Sequence, residues 1–345
     1  MPTRQVGKRR NCGKASLKWG GNGVDKRAVS AASGVELDNR IVEVACQIEA
    51  QLASVLLGKP AQVRLATAAL LAGEHLLLND LPGVGKTTLA TALARAVGGS
   101  FGRVQGTPDL LPTDLTGASI YHQADDRWVF RPGPLLNNVV LVDEVNRITP
   151  RTQSALLQAM AEDRVTVDGI TRPLPLPFLV VGTMNPAGSV GTFALTTGQL
   201  DRFGLSLGLG PVDRATERRL LRGDGGPAAV GAIEPVLPAD LLPELQEVIA
   251  SVHVSDPVLD YVLDLCDSLR PAGHLSARAA RSLLALARAL ATLDGRGFVI
   301  PDDIKSLAVP CLAHRLAPEG DHVDGRSPRV RSVVEELPAP DAAGP

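Results

Sequence analysis

The stretch HLLLNDLPGVGKTTLATAL, His75 to Leu93, constrains the fold more than any other part of the chain. A short apolar run ends in turn chemistry, a glycine-bearing loop follows, and a helical pattern begins at the lysine. Strand, loop and helix in that order give Gly83, Gly85, Lys86 and Thr87 the context of a phosphate-binding loop. Gly83 and Gly85 can take positive φ, and without a Cβ they let backbone N–H groups approach phosphate oxygens. Lys86 supplies a point charge, and Thr87 a hydroxyl for Mg2+ at the start of a helix whose dipole favours anions. The strict pattern G-x-x-x-x-G-K-[ST] is broken at its first letter, where Asp80 stands. A carboxylate there raises the question of whether the loop works or is only a glycine-rich turn.

Two further buried strands answer for the loop. NVVLVDE predicts a strand over Val139 to Asp143, apolar throughout as central parallel strands are. It ends in Asp143 and Glu144, which by itself is commonly a solvated turn. Following a phosphate loop, Asp143 is suited to hold a metal-bound water and Glu144 to orient and activate an attacking water. A helix is expected from about Arg151 to Glu162, then a hairpin turning at Asp168-Gly169. FLVVGTMN predicts a third buried strand, with Asn185 at its end either opening an Asn-Pro turn or facing the γ-phosphate. Strands alternating with helices, with polar residues at the strand C-termini, predict an α/β doubly wound parallel sheet with its ligand site along that edge.

Residues 1–34 read as a basic tail, rich in Gly, Lys and Arg; no apolar stretch follows Arg9 and Arg10, so no export signal is expected. Ile41, Val44, Ala45, Ile48 and Leu52 recur at helical spacing, and a second helix is expected after Gly58-Lys59-Pro60, to about Leu71. The α/β domain then spans 35–212, a Gly/Pro-rich linker 213–236, and a helical domain 237–338, with 339–345 as a C-terminal tail. Four helical patterns fall in the last domain, and the tail from Ala317 reads as loop apart from an apolar stretch at Val330 to Val334. A net charge of -2 and 3% aromatics give no basis for nucleic-acid binding. The four cysteines form no C-x-x-C pair, which argues against a zinc site or disulfide framework and fits a reducing, cytoplasmic setting. No apolar run reaches the length of a membrane span.

Taken together, LPGVGKTTLA, RVQGTPDLLPTDLTG, WVFRPGPLLNN, VDEVNRITPRTQSALLQAMAEDRVTVDG, GTMNP, GQLDRF and GRGFVIPDDIKSLAVPCLAHRL resemble the MoxR family of AAA+ ATPases, from about Glu36 to Pro338. The resemblance implies an AAA+ P-loop core followed by a small all-helical lid. It makes Lys86 and Thr87 the end of Walker A, with Pro82, Gly83, Val84, Gly85 and Thr88 completing the nucleotide loop. Asp143 and Glu144 match Walker B, with Thr87 and Asp143 serving the metal, and Asn185 matches sensor 1. Arg202 in LDRF matches the arginine finger that serves a neighbouring subunit. In HLSARAARSLL, Arg278 or Arg281 matches sensor 2, with Arg278 expected on the subunit's own ligand edge beside Lys86. Gly58 matches the turn lining the adenine pocket, and SIYHQADDRWVFRPGP the β-hairpin inserted in helix 2.

The resemblance further implies ATP and Mg2+ as ligands, a homo-oligomeric ring, most often a hexamer, and chaperone-like maturation of partners that often carry a von Willebrand factor A domain. A chelatase-type motor shares every one of these motifs, and an ATP-gated scaffold with little turnover is the reading from outside the enzyme class. Two departures stand out: LTTGQLDRF carries Gly198 where an acidic, helix-favouring stretch is usual, and SAR lacks a central proline. Since the first motif position precedes the nest of phosphate-holding N–H groups, Asp80 is expected to turn its carboxylate away from the nucleotide, toward backbone donors.

Overall fold

The computed structural model describes residues 37–124, 126–184, 192–273, 275–316 and 327–340. Helices α1 (Asn39–Val55) and α2 (Pro60–Ala72) come first. Asp38 caps α1 by accepting the N–H of Arg40 at 2.9 Å, and the face predicted from spacing is the buried one. Pro60 occupies the first turn of α2, where its missing N–H leaves no bond unmade, and Gly73 closes the helix at φ 69°.

The α/β core then runs β1 (Leu76–Asn79), α3 (Lys86–Ala96), β2 (Phe101–Gln105), α4 (Pro112–Thr116), β3 (Gly117–His122), β4 (Arg127–Pro132) and β5 (Val139–Asp143). It continues through α5 (Pro150–Glu162), β6 (Arg164–Val167), β7 (Ile170–Pro173), β8 (Leu179–Met184), α6 (Thr197–Leu200) and β9 (Leu205–Leu207). Five strands form one parallel sheet in the order β2-β5-β8-β1-β9. The other four make two antiparallel hairpins, β3-β4 and β6-β7, the second turning at Asp168-Gly169 with both residues at positive φ. Alternate strand residues face opposite ways. Leu76, Leu78, Val139, Leu141 and Val181 join α1, α2 and α3 on one face, while Leu77, Val140, Val142 and Val180 join α5 on the other.

Residues 213–236, expected as a linker, are instead folded onto the core. They carry α7 (Arg214–Leu221) and α8 (Gly226–Ala229), bury Val230 and Ile233, and pair the Val236 N–H with the Ala96 carbonyl at 2.8 Å. The glycines punctuate: Gly223 and Gly225 turn the chain at positive φ between the two helices, and Gly226 opens α8 at positive φ. The helical segment comprises α9 (Leu242–Ala250), α10 (Asp256–Leu269), α11 (Ala277–Leu293), α12 (Pro301–Leu316) and α13 (Ser327–Glu336). The last of these replaces part of the predicted loop-rich tail and is anchored by the fully buried Val330. α11 packs on α2 and α1, α12 packs on β9, and the apolar residues of α9 to α12 belong to the same cluster as those of α1 to α3. The lid therefore shares a core with one face of the α/β domain. No helix among the described residues is long and apolar enough to cross a membrane.

Candidate active site

The chain leaves β1 at Asp80 and passes through Gly83 (φ 86°) and Gly85 (φ 106°) into α3. Both glycines hold the left-handed conformation that a side chain disfavours, and nothing lies within 4 Å of where a Cβ on Gly83 would point. The first N–H groups of α3 thus face an open cradle. Lys86, 9% exposed, folds back so that its Nζ donates to the Asp80 carbonyl at 2.7 Å. Burial lowers its pKa from the ordinary value, while the charges of Asp80, Asp143 and Glu144 oppose that shift. The ammonium is therefore held among three carboxylates.

Asp80 is explained by its backbone. Among described non-glycine residues, positive φ occurs at Asp126, Glu144, Asp163 and Asp168 and not at Asp80, so this position of the motif requires no glycine. Its carboxylate turns toward the segment after β9, where Oδ2 accepts the Gly210 N–H at 2.8 Å. Lys59, nearly buried, clamps the same segment by donating to the carbonyls of Leu209 and Gly210 at 2.8 and 2.5 Å. Burial lowers the pKa of Lys59, and Asp80 counters that shift.

Asp143 ends β5 beside the loop. Its Oδ2 accepts from Arg103 of β2 twice, from Nε at 2.9 Å and Nη2 at 2.8 Å. Thr183 on β8 links the paired acids: its hydroxyl lies 3.5 Å from Asp143 Oδ1 and accepts the Glu144 N–H at 2.9 Å. Glu144 sits at φ 55°, ψ 54°, an αL conformation that a glutamate adopts only under constraint, and its Oε2 accepts from Arg147 Nη1 at 2.9 Å. The chain leaving β2 approaches closely: the Gly106 N–H reaches the Asp143 carbonyl at 2.7 Å, and a Cβ on Gly106 would come within 2.4 Å of the Glu144 carbonyl.

One open cleft collects these groups at the C-terminal edge of the sheet. It is lined by Pro82, Gly83, Gly85, Lys86, Thr87 and Thr88 from the loop, Arg103 and Gln105 from β2, Asp143, Glu144 and Thr183, and Pro227 of α8. Val84 packs behind the loop against the core. Sequence reasoning missed Arg103, Arg147 and Thr183. Arg103 gave no local signal, because it reaches Asp143 through the strand register, which sets Gln105 opposite Asp143 and Arg103 two residues back on the same face. Asn185 lies outside the described residues. Gly58, at φ 74°, sits against α7, where a Cβ would lie 2.9 Å from Thr216 Oγ1.

Arg202 and Arg278 stand elsewhere. The turn after α6 meets the opposite edge of the sheet, where the N–H of Gly204 donates to the His75 carbonyl just before β1 begins. Four residues of β1 separate that edge from the loop, roughly 13 Å of strand. Arg202 there donates from Nη1 to the Leu157 carbonyl at 2.9 Å. The expectation that Arg278 joins Lys86 is not met. Ser276, which caps α11, donates to Asp201 Oδ2 at 2.7 Å, and the charge of Arg278 acts on Glu74 and His75 at the same far edge. The reason is the docking of α11 along α2, which carries the start of the helix away from the cleft. Arg281 is exposed on the same helix.

Residues 75–205 match the family described as "ATPase family associated with various cellular activities (AAA)", and residues 268–337 match the AAA lid domain. The uncharacterized protein YeaC of Bacillus subtilis is 43% identical over 266 residues, covering 76% of this chain and 83% of that protein. Chaperone MoxR1 of Mycobacterium tuberculosis is 36% identical over 275 residues, covering 76% of this chain and 72% of that protein. The crystal structure of a candidate ATPase from Cytophaga hutchinsonii superposes with a TM-score of 0.75 at 29% identity, covering 87% of this chain and 96% of that one. Identity at this level, sustained across most of both chains and through core and lid alike, makes this chain a member of the MoxR family of AAA+ ATPases.

Proposed function

We propose that the chain hydrolyses ATP to ADP and phosphate with Mg2+ and uses the cycle to remodel a protein partner. One observation carries the reading: Lys86, Thr87, Asp143 and Glu144 converge on a single cleft at the C-terminal edge of the parallel sheet. The residues fit the ligands. An open glycine cradle and a buried ammonium suit a polyphosphate, and the Thr87 hydroxyl with the Asp143 carboxylate is a hard oxygen donor set of the kind magnesium prefers. Bound there, the metal supplies charge neutralisation for the β- and γ-phosphate oxygens. The chain's own residues do the rest. Loop N–H groups and Lys86 orient the phosphates, and Glu144, fixed by Thr183 at its N–H and by Arg147 at its carboxylate, accepts a proton from the attacking water.

Arg202 and Arg278, on the far edge, are too distant for their own cleft, which supports a role for Arg202 toward a neighbouring subunit in a ring, with six subunits as the expected number. The chaperone name carried by the Mycobacterium relative supports maturation of a client protein; the cytoplasm as its setting and a von Willebrand factor A domain as the partner to look for follow from the family resemblance alone. The test is Glu144→Gln. It should retain ATP binding and lose turnover by roughly a hundredfold or more. Turnover at the wild-type rate would sink the water-activating role, and a wild-type protein that binds ATP without measurable hydrolysis would leave a gated scaffold in its place.

A further inference from the structure

Both neighbours of Arg202 are held by consecutive residues of the lid. Arg315, on the last turn of α12, is wholly buried. Its Nε lies 3.0 Å from Asp201 Oδ1, and its Nη2 lies 3.4 Å from the Asp201 carbonyl. On the other side of Arg202, the Phe203 carbonyl lies 2.8 Å from Nε2 of His314. A carbonyl only accepts, so Nε2 carries the proton. The second carboxylate oxygen of Asp201 accepts from Ser276 at the start of α11. Arg315 is fixed in turn by the Cys311 carbonyl at 2.8 Å and the Ser282 hydroxyl at 3.1 Å.

A buried guanidinium gives little net stability, because desolvation offsets most of the attraction, and an apolar side chain of similar volume would serve packing as well. What the charged pair adds is direction. Nη2 of Arg315 bonds the Asp201 carbonyl while Nε stands at ion-pair distance from the carboxylate, without hydrogen-bond alignment, so one planar cation holds backbone and side chain of Asp201 together, as no aliphatic residue can. The turn between α6 and β9 is short, and Gly198 within α6 leaves its own helix a weak support. Its orientation is thus supplied from outside, by α11 and α12.

We propose that His314 and Arg315 are positioning residues for Arg202, through which the lid sets the angle at which that arginine is offered to a neighbouring subunit. Lid displacement then moves the donor arginine of one subunit while leaving that subunit's own phosphate loop in place. The inference rests on the reading of Arg202 as a residue acting in trans, and the experiment separates the two. Arg315→Met, Asp201→Asn and Ser276→Ala are compared with Arg202→Ala for ATP affinity, turnover and thermal unfolding. Each is also mixed with Glu144→Gln protein and, separately, with Arg202→Ala protein.

Arg315→Met and Asp201→Asn are expected to bind ATP within about threefold of wild type and to lose turnover by roughly tenfold to a hundredfold, as a misplaced group does. Mixing with Glu144→Gln should restore activity, because that protein offers an intact Arg202 to an intact cleft. Mixing with Arg202→Ala should restore none. A subunit that is merely destabilised has no reason to distinguish the two partners. Should Arg315→Met fail to fold, the exposed Ser276→Ala carries the same test. Normal turnover of Arg315→Met and Asp201→Asn beside an inactive Arg202→Ala, or equal recovery with both partners, overturns the positioning role alone. Normal turnover of Arg202→Ala removes the trans reading and this inference with it.

Discussion

Asp80→Gly restores the first glycine of the phosphate-loop pattern, and the structure predicts that the restored protein is worse. Oδ2 of Asp80 accepts the Gly210 N–H at 2.8 Å. A hydrogen bond to an ionised acceptor contributes about 1.5–3 kcal/mol net, and the substitution leaves the Gly210 N–H without that acceptor. Lys59, clamped on the carbonyls of Leu209 and Gly210, loses the carboxylate that offsets its burial. A new glycine adds roughly 0.5–1 kcal/mol of backbone entropy where no positive φ calls for one. The sum is a loss of about 2–4 kcal/mol, read as a lowered urea midpoint at unchanged m-value. ATP affinity should change little. The Lys86 ammonium bonds the main-chain carbonyl of residue 80, which survives the substitution, and the lost carboxylate both supported the charge on Lys86 and repelled phosphate. Asp80→Asn isolates the charge, since it can keep an acceptor near Gly210. By titration calorimetry, both variants should bind ATP within about threefold of wild type. A tenfold gain in affinity, about 1.4 kcal/mol, with unchanged stability would refute the reasoning, because the carboxylate would then act on nucleotide and not on the fold.

Two buried histidines set an acid limit: burial, the largest cause in each, pushes His75 down to about 4 and His314 to about 3 from an ordinary 6.5. The unfolded chain therefore takes up protons that the folded chain refuses, so stability is full above pH 6.5 and falls as pH drops toward those lower values, by roughly 2 kcal/mol per histidine at pH 5. Urea midpoints measured at neutral pH and pH 5 check this, and a flat profile would falsify it. Were Asp143 to hold magnesium as proposed, Arg103 would compete with the metal for its carboxylate, and with a half-exposed guanidinium the ion pair is worth about 0–1 kcal/mol. Arg103→Met should lower the magnesium concentration needed for half-maximal nucleotide binding by up to about fivefold; a higher requirement would show that Arg103 assists the metal instead.

The parts of the fold that could be read from sequence were those whose signal is local. β1, β5 and β8 are unbroken apolar runs, and the buried face of α1 repeats at helical spacing. β2 was not predicted because FGRVQ lies at the sheet edge and buries only alternate residues, and β9 is three residues long. α7 buries only Thr216, and stands on the Asp213 cap more than on an apolar face. The cleft residues of the loop and of β5 were legible because their motif spans one strand end each. The place of Arg278 was not, because it depends on how α11 docks on α2, a contact between residues two hundred positions apart that no window of sequence contains. Arg315 was hidden for the same reason: within CLAHRL nothing distinguishes a surface arginine from one whose partner is Asp201.

The separation of the cleft from Arg202 by the length of the sheet gives each subunit a head and a tail. Two copies related by a two-fold axis could complete two sites only by placing both edges of each copy in one reciprocal contact. Stacking head to tail joins one offered arginine to one waiting cleft at each contact, and an open stack ends with one of each unused. Closure removes both ends at once. With Arg202 as donor, the competent sites would count joined interfaces, one fewer than the subunits in an open stack and equal to them in a closed one, so a subunit altered on one edge would silence a single interface and leave its other one intact.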